Sequence, residues 1–445
     1  MDITVGFDLD LTLVDSRPSV VAVAGMLAEE YGVVIDGELW ASRLGPPLEE
    51  ELANWVAPDL VDEVAWRYRA LMAEHGVALS VELPGAREAV EAVRRSGRAV
   101  VVTAKQQALA EQTLAFLGIE VDAVHGWLWG DGKATALVEE GATVYVGDHP
   151  HDVAGARAAN AVSVGVRTGG SEPVGADVVL EDLATFPEWL VQHELSQLGS
   201  VLVAFSGGAD SAFLLAAAAR ALGPDGVVAA TAVSPSLAQE ELPAAQAFAA
   251  SLGVRHLTPT TDELSRSGYV ENGPDRCFHC KATLIDTLRP LAAELGLAHV
   301  ATGTNADDLV AGFRPGIRAA ADRGAVTPLR RLTKAQVREI SGRWGLVTAD
   351  KPALACLASR IAYGLSVTPQ RLARVDRAET ALRARLVPRD VRVRVLDDSS
   401  ARVELDPEAL ARWDEAAAAA VLAEGFATVE VREFRSGSMN DPIGR

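Results

Sequence analysis

The 445-residue sequence predicts an α/β protein with two doubly wound parallel sheets and a small α+β part at its C-terminal end. Three observations predict this fold class. Apolar runs alternate with helical stretches in the first half of the chain, and a second alternation of the same kind begins at Ser200. After about Ser366 the pattern changes to a helix, two β-rich pieces, a helix and a strand. Because the chain exceeds what one core usually organises, separate domains are expected.

The first domain is predicted over residues 1–190. Its apolar runs are expected to form strands at 3–8, 98–103, 142–147 and 161–166. A further short strand is predicted within 176–183. Residues 15–81 lack strand signals and place apolar side chains at helical spacing in 48–56 and 59–74, so we expect a helical cap there.

The second domain is predicted over residues 196–365, and a C-terminal subdomain over 366–445. In the second domain we expect strands at 200–205, 226–233 and 298–302 and helices at 209–222 and 238–252. In the C-terminal subdomain we expect helices at 369–386 and 407–424 and strands at 390–396, 401–405 and 427–434. The alternation of strands and helices predicts a parallel sheet for the second domain.

Composition and charge exclude some classes of protein. No stretch offers the ~20 uninterrupted apolar residues of a membrane span, so a cytoplasmic location is expected. The net charge of −20 repels a phosphate backbone, which disfavours nucleic acid as a partner and favours a small-molecule nucleotide substrate. Three cysteines cannot form a disulfide framework and persist as thiols in a reducing compartment. A homo-oligomer is compatible with all of these features.

Several motifs of the first domain place reactive side chains after predicted strands. These side chains are Asp8, Asp10, Thr103, Lys133, Asp148 and Asp152. The carboxyl ends of parallel strands meet at one edge of a sheet, where open α/β sheets bind ligands. Phosphoryl transfer needs a nucleophile, groups that neutralise the phosphate oxygens, and Mg²⁺ held by hard oxygen ligands. The motifs supply all three.

These motifs resemble the haloacid dehalogenase (HAD) superfamily of hydrolases over roughly the first 190 residues. The resemblance implies that Asp8 attacks phosphorus and that Asp10 protonates the leaving group and then activates water. It implies a Mg²⁺ site at Asp8 and Asp148, with Asp152 in support and Asp10 counted among the metal-binding acids. The remaining two side chains, Thr103 and Lys133, orient the nucleophile and offset the charge of the phosphate. The cap selects the substrate, which the sequence does not identify.

The second domain carries two loops that follow predicted strands. The first, Ser206-Gly207-Gly208-Ala209-Asp210-Ser211, opens a helix whose N-terminus favours phosphate oxygens. It lacks the lysine that ends a Walker loop. The second is Thr302-Gly303-Thr304-Asn305-Ala306-Asp307-Asp308. Together they resemble the ATP-pyrophosphatase (PP-loop) superfamily, which splits ATP between its α- and β-phosphates and adenylates a carboxylate or carbonyl oxygen.

All cysteines of the chain fall in the second domain, at Cys277, Cys280 and Cys356. Three thiolates are able to hold a [4Fe–4S] cluster and leave one iron open for an extra sulfide, so we expect them to meet beside the nucleotide loop. The alternatives are structural zinc with His279, a redox dithiol, or small buried apolar side chains. Zinc is the strongest rival, although the ring of His279 would have to fold back between the paired cysteines.

Five motifs, in order, resemble the LarE-type pyridinium-3,5-biscarboxylate mononucleotide sulfurtransferases, which help to build the nickel-pincer nucleotide cofactor. The motifs are SGGADS at 206–211, RCFHCK at 276–281, GTNADDL at 303–309, FRPGIRAA at 313–320 and KPALACLASRIAYG at 351–364. The resemblance implies that ATP activates a substrate carboxylate as an acyl-adenylate, that pyrophosphate leaves, and that sulfur bound near Cys356 replaces AMP. The three-cysteine pattern implies a cluster that is reloaded with sulfur.

In the C-terminal subdomain the same resemblance implies further site residues. Arg392 and Arg394 match basic positions that grip the mononucleotide phosphate. Glu379 and Glu404 match acids near the reacting carboxylates. Two other functions are weighed against this one: a tRNA thiolase, which the charge of −20 disfavours, and a phosphatase whose second half binds and senses a nucleotide.

Overall fold

The structure is a computed structural model that describes residues 3–45, 47–169, 171–352 and 355–435. The chain folds as two units, Met1–Leu190 and Val191–Arg445. Each unit has its own sheets and its own apolar cores. The predicted α/β class with parallel sheets is confirmed.

The first unit is built on one large parallel sheet. Its strands are β1 Ile3–Phe7, β2 Val14–Asp15, β3 Val81–Glu82, β4 Gly97–Val102, β5 Ala123–His125, β6 Val144–Gly147, β7 Val162–Val166 and β8 Val178–Leu180. Six of them form the sheet in the order β5-β4-β1-β6-β7-β8, with all neighbours parallel. The other two, β2 and β3, form an antiparallel pair. Because the sheet is buried on both faces, its central strands read as continuous apolar runs.

The helices of the first unit fall into two groups. In chain order they are α1 Arg17–Tyr31, α2 Gly37–Ala41, α3 Leu48–Leu52, α4 Val61–Leu71, α5 Ala86–Arg94, α6 Gln107–Leu117, α7 Asp131–Glu139, α8 Pro150–Ala158 and α9 Phe186–Ser196. The first four lie between β2 and β3, in the span predicted as a cap, and they enclose an apolar core that includes Val23, Leu27 and Trp40. The division between the two units falls inside α9.

The second unit contains two sheets. Its strands are β9 Val201–Ala204, β10 Val227–Ala230, β11 Arg255–Leu257, β12 His299–Ala301, β13 Val391–Val395, β14 Ser400–Leu405 and β15 Thr428–Glu433. The first four form a parallel sheet in the order β11-β10-β9-β12. The last three form a mixed sheet in which β14 pairs antiparallel with β13 and parallel with β15.

Within the described residues, the second unit has ten helices beyond α9. They are α10 Ala209–Leu222, α11 Glu241–Ser251, α12 Ser267–Val270, α13 Arg276–Glu294, α14 Ala306–Val310, α15 Pro315–Ala321, α16 Lys334–Arg343, α17 Pro369–Leu386, α18 Pro407–Ala411 and α19 Glu415–Leu422. The single helix predicted over 407–424 is wrong. The side chain of Asp414 accepts the N–H of Ala417 and begins a new helix there, so the segment forms two.

The apolar core of the C-terminal sheet extends beyond that sheet. Leu357 and Ile361, which follow Cys356, pack with Leu372 of α17 and Val393 of β13. The segment after Cys356 is therefore anchored on the C-terminal sheet. Of the predicted segments, residues 436–445 of the C-terminal subdomain and Ala353 and Leu354 of the motif around Cys356 lie outside the described residues.

Within the described part of the chain, none of the helices combines the length and the apolar character that a membrane span requires.

Candidate active sites

Three buried carboxylates meet at the carboxyl edge of the six-stranded sheet. Asp8 follows β1, and Asp148 and Asp152 follow β6. One ligand atom of each lies within 4.8 Å of the others. Hard oxygen donors at this spacing suit Mg²⁺. These residues therefore fit the metal expected from the sequence.

One lysine lies against this trio. The ammonium of Lys133 donates hydrogen bonds to Asp8 at 2.8 Å and to Asp152 at 2.6 Å. Burial raises the pKa of Asp8 to about 7, although the charge of Lys133 opposes the rise. Burial, followed by the charges of Asp8 and Asp152, also raises the pKa of Asp148. Three carboxylates and one ammonium leave an excess of negative charge, which a divalent cation relieves.

Local structure fixes the two later acids of the trio. His149 is the N-cap of α8, and its backbone N–H donates to Asp152 at 3.0 Å, so Asp152 completes a capping box as well as the acidic site. A Cβ atom placed on Gly169 would lie 2.0 Å from a carboxylate oxygen of Asp148. Only glycine therefore permits this close approach.

The predicted Asp10 and Thr103 lie at the same edge but outside the trio. The carboxylate of Asp10 accepts a hydrogen bond from Lys105 at 2.6 Å, so its side chain does not join the metal-binding group. Thr103 is buried, and its hydroxyl accepts the backbone N–H of Lys105 at 3.2 Å. Sequence reasoning missed Lys105, although its place two residues after Thr103 puts it in the same turn.

The two predicted nucleotide loops of the second unit are in direct contact. The first lies between β9 and α10, and the second follows β12. The amide of Asn305 donates to Asp210 at 3.1 Å. A Cβ atom on Gly303 would lie 3.0 Å from the backbone nitrogen of Ser211, so a larger residue would have to move the two loops slightly apart.

Side chains on both sides hold these loops in place. The ammonium of Lys351 donates to the carbonyl of Gly207 at 3.0 Å and to Glu241 at 2.9 Å. In the second loop Asn305 caps α14 by accepting the N–H of Asp308. The other predicted side chain of that loop, Asp307, accepts the backbone N–H of Lys334 at 2.7 Å. Asp307 thus ties the second loop to the first turn of α16.

The three cysteines lie on two segments of the second unit. Cys277 and Cys280 are in the first turns of α13, and Cys356 directly precedes the turn Leu357–Arg360. Cys277 and Cys356 are exposed. Burial, followed by the charge of Cys356, raises the pKa of the Cys280 thiol.

The distances between the cysteine sulfurs are relevant to whether the cysteines bind a zinc ion or an iron–sulfur cluster. Zn²⁺ holds thiolates at about 2.3 Å, which brings its sulfur ligands to within about 4 Å of one another. Among the described residues the only set of three metal-ligating groups within 4.8 Å is the aspartate trio, so the cysteine sulfurs are more widely spaced. His279 lies 3.2 Å from Asp275. Three thiols in one unit are the donor type that an iron–sulfur cluster takes, and zinc is the alternative.

A buried polar pair, Asn272 and Arg276, joins the two cysteine-bearing segments. The amide of Asn272 donates to the carbonyls of Ile361, Ala362 and Leu365 at 2.8–3.2 Å, and its own oxygen accepts from Arg276. Arg276 also donates to the carbonyl of Ala358 at 2.9 Å. We call Asn272 and Arg276 the cysteine hub, because they tie the segment after Cys356 to the start of α13.

Glu379 and Glu404 are fully buried and ion-paired. Glu379 accepts hydrogen bonds from Arg360 at 2.9 and 3.1 Å and from Arg383 at 3.0 Å. Glu404 accepts from Arg394 and Arg432, each at 3.0 Å. Both predicted acids therefore fix guanidinium groups in this arrangement.

Arg392 joins the same group, which we call the arginine cluster, and its arginines are buried except for Arg383 and Arg432, which are partly exposed. Its members are Arg360, Arg383, Arg392, Arg394 and Arg432, with Glu379 and Glu404. Burial, followed by the charge of Arg360, lowers the pKa of Arg392 to about 10. Sequence reasoning named Arg392 and Arg394 but missed the other three arginines, which come from separate elements and share no motif.

Comparison with known proteins places the chain in a family. A pyridinium-3,5-bisthiocarboxylic acid mononucleotide synthase of Lactiplantibacillus plantarum is 35% identical over 257 residues, which make up 56% of this chain and 92% of the relative. The chain belongs to this synthase family, the LarE family. An uncharacterized protein of Synechocystis sp. is 42% identical to the LarE-family chain over 253 residues, covering 55% of the chain and 93% of the relative.

The N-terminal unit of the LarE-family chain is a HAD domain. The haloacid dehalogenase-like hydrolase family matches residues 5–157, and a HAD-hydrolase-like family matches residues 128–188. A phosphoglycolate phosphatase of Cupriavidus necator is 32% identical over 217 residues, covering 42% of the chain and 93% of the relative. The resemblance to both families expected from the sequence is confirmed.

Proposed function

We propose that the second unit transfers sulfur to an adenylated carboxylate of a small nucleotide, pyridinium-3,5-biscarboxylic acid mononucleotide, in nickel-pincer cofactor biosynthesis. We propose that the first unit is a Mg²⁺-dependent phosphohydrolase. The contact between the two nucleotide loops carries the first proposal, because Asn305, Asp210 and Gly303 form one cradle in the same unit that holds every cysteine.

In the proposed transfer, an oxygen of the substrate carboxylate attacks the α-phosphorus of ATP and pyrophosphate leaves. A sulfur nucleophile then attacks the acyl carbon, so that a C–S bond forms, the C–O bond to AMP breaks, and a thiocarboxylate and AMP remain. The loop at 206–211 supplies backbone N–H groups and a helix N-terminus for the phosphates. When bound by three thiolates, a [4Fe–4S] cluster supplies an open iron position for the sulfur that is transferred.

The arginine cluster supports an anionic substrate for this unit. Five guanidinium groups lie beside the segment that carries Cys356, and four carboxylates pair with them, namely Glu379, Glu404, Glu240 and Asp390, so one positive charge is left in excess. Burial makes that excess costly unless an anion offsets it. A mononucleotide phosphate has the charge and the oxygen geometry that guanidinium groups recognise.

In the proposed hydrolysis, Asp8 attacks phosphorus and a phospho-aspartate forms as the leaving group departs with a proton from Asp10. Asp10 then removes a proton from water, which attacks phosphorus and restores Asp8. Lys133 neutralises phosphate oxygens and holds Asp8 at 2.8 Å. When bound at the trio, Mg²⁺ supplies positive charge to the transferring phosphoryl group.

The transferase is tested with purified protein, ATP and the dicarboxylate mononucleotide. We expect AMP, pyrophosphate and a product in which one carboxylate oxygen is replaced by sulfur. Asp210→Asn should slow pyrophosphate release, whereas Asp225→Asn, in the turn after α10, should not. Release of orthophosphate alone would refute the transferase and favour a nucleotide-sensing second half.

The cluster is tested separately by anaerobic purification. We expect brown protein that contains iron and acid-labile sulfide and loses both when Cys280 is changed to serine. Colourless protein loaded with zinc would instead identify a structural zinc site.

A further inference from the structure

Two tryptophans, Trp127 and Trp129, lie in the loop that joins β5 to α7. Trp127 has a φ of +62°, a left-handed backbone conformation that bulky residues rarely adopt, and 54% of its surface is exposed. Strained residues of this kind persist where the surrounding structure holds them, and they concentrate at functional sites. This aromatic side chain is therefore held outward at a cost in backbone energy.

The loop is fastened to the edge of the sheet that carries the hydrolase residues. The backbone N–H of Trp127 donates to the carbonyl of Lys105 at 2.9 Å, and that of Leu128 donates to the carbonyl of Thr103 at 3.0 Å. Lys105 in turn holds Asp10 at 2.6 Å. The tryptophan loop thus lies beside the residue proposed to protonate the leaving group.

Two histidines continue the aromatic surface toward the metal-binding acids. Trp129 lies 4.5 Å from His151 between ring centroids, and His149 stacks on His151 at 4.8 Å with an angle of 4° between the rings. His149 directly follows Asp148. We call Trp127, Trp129, His149 and His151 the aromatic platform.

The cap approaches the platform at two places. The guanidinium of Arg69, on α4, lies 4.5 Å from the ring centroid of Trp127. A Cβ atom on Gly45 would lie 3.0 Å from the ring of His149. The platform therefore lines the border between the cap and the sheet edge, where the leaving group of a substrate is enclosed.

We propose that the aromatic platform selects phosphate monoesters whose leaving group carries a flat aromatic ring, namely mononucleotides. The proposal rests on the phosphohydrolase function given to the first unit. A nucleobase or pyridinium ring stacks on tryptophan and histidine faces, whereas a sugar phosphate without a base offers no such surface. Both units would then act on the same chemical class of substrate.

The experiment compares substrates that differ only in the ring. Phosphate release is measured with Mg²⁺ and nicotinamide mononucleotide, adenosine monophosphate or ribose 5-phosphate. We expect kcat/KM for the two mononucleotides to exceed that for ribose 5-phosphate by about tenfold or more, a ratio typical of one stacked base. Equal kcat/KM values for all three would overturn the proposal while leaving the phosphohydrolase intact.

Variants identify the residues responsible. Trp129→Leu and His151→Leu should each raise KM for the mononucleotides, so that most of the preference in kcat/KM over ribose 5-phosphate is lost. The value of kcat/KM for ribose 5-phosphate should change little. Trp66→Leu is the matched control, because Trp66 is 70% exposed on α4 and lies outside the platform. An unchanged preference in both platform variants would overturn the proposal.

A binding measurement separates this proposal from the chemistry. In the Asp8→Asn variant with Mg²⁺, nicotinamide mononucleotide should quench tryptophan fluorescence and bind about tenfold more tightly than ribose 5-phosphate. If the wild-type protein hydrolyses no monoester but this difference in binding is seen, the phosphohydrolase function is refuted and the binding role of the aromatic platform is supported. Equal binding of the two ligands would refute the selectivity proposed for the aromatic platform.

Discussion

At the carboxyl edge of the first sheet, three buried carboxylates share the ammonium of Lys133, whereas beside the C-terminal sheet two buried carboxylates accept hydrogen bonds from four guanidinium groups. Burial opposes both arrangements, because a buried charge without an opposite charge is costly. The sign of the excess therefore indicates the missing ligand. The first site favours a cation and the second an anion, and the predictions below test this difference.

The largest expected effect is on chemistry at the acidic site. Asp8→Asn removes the proposed nucleophile and should lower phosphate release by at least about a thousandfold. Pyrophosphate release by the second unit should stay within twofold, about the error of such assays. Both products are followed in parallel with a phosphate sensor and a pyrophosphate sensor. Equal loss of both would contradict the independence of the two sites.

The next effect concerns the arginine cluster. Glu404→Gln leaves Arg394 and Arg432 without their shared carboxylate and should lower the free energy of unfolding by about 3–5 kcal/mol. Glu430→Gln is the control, since Glu430 pairs with Arg402 at the surface of the same sheet and should cost less than about 1 kcal/mol. Urea denaturation measures both values. If an excess of buried positive charge destabilises Glu404→Gln, added phosphate should restore part of its lost free energy of unfolding. A loss of similar size in Glu404→Gln and Glu430→Gln would contradict this explanation.

A smaller effect is expected at the cysteine hub. Asn272→Ala removes the donor to three carbonyls and should cost about 2 kcal/mol, compared with about 0.5 kcal/mol or less for Asn54→Ala on the surface. In a Cys280→Ser background only Cys277 and Cys356 remain, so dibromobimane fluorescence reports their bridging. Asn272→Ala should slow that bridging. Unchanged bridging would show that other contacts position Cys356.

The smallest effect is the opposite response of the two sites to pH. The pKa of Asp8 is raised to about 7, so without Mg²⁺ the folded state binds more protons than the unfolded state between about pH 4 and 7. Stability of the first unit should therefore increase as the pH falls from 8 to 5. Burial opposes ionisation of Glu379, but Arg360 and the N–H of Val393 hold its pKa below the usual value. Its contribution is present above about pH 4.5 and is lost as the pH falls further.

Hydrogen exchange resolves the two responses. Amides of β1 report the first unit and amides of β13 the C-terminal sheet, after correction for the intrinsic exchange rate. Added Mg²⁺ should abolish the gain in protection of β1 at low pH, because the cation replaces the protons on the trio. If protection of the β1 and β13 amides changed with pH in the same direction, the proposed difference in the sign of the charge between the acidic site and the arginine cluster would be contradicted.

Much of the fold follows from apolar runs in the sequence. The central strands β1, β4, β6 and β9 are buried and were predicted within one or two residues. The edge strands β5 and β11 were missed, because their three residues are only partly buried and include polar side chains. The predicted helix α17 begins and ends at the expected residues, since Thr368 caps it and Pro369 starts it.

The acidic site was predictable because strand order brings Asp8, Asp148 and Asp152 to one edge. The arginine cluster was not, because Arg360, Arg383 and Arg432 come from a turn, a helix and a strand that meet only in the folded chain. Asn272 gave no signal either. Its three hydrogen bonds span about ninety residues of sequence, and no local pattern encodes them.

The antiparallel pair of β2 and β3 places Asp15 opposite Val81 and Val14 opposite Glu82. The two ends of the segment that contains α1 to α4 are therefore held side by side by this strand pair. An insertion whose two ends are adjacent can be replaced by one of different length or shape, while the parallel strands and the acids that follow them stay in place. Exchange of this segment changes the side of the leaving-group site that faces the aromatic platform, while the platform and the acids of the sheet edge keep their places.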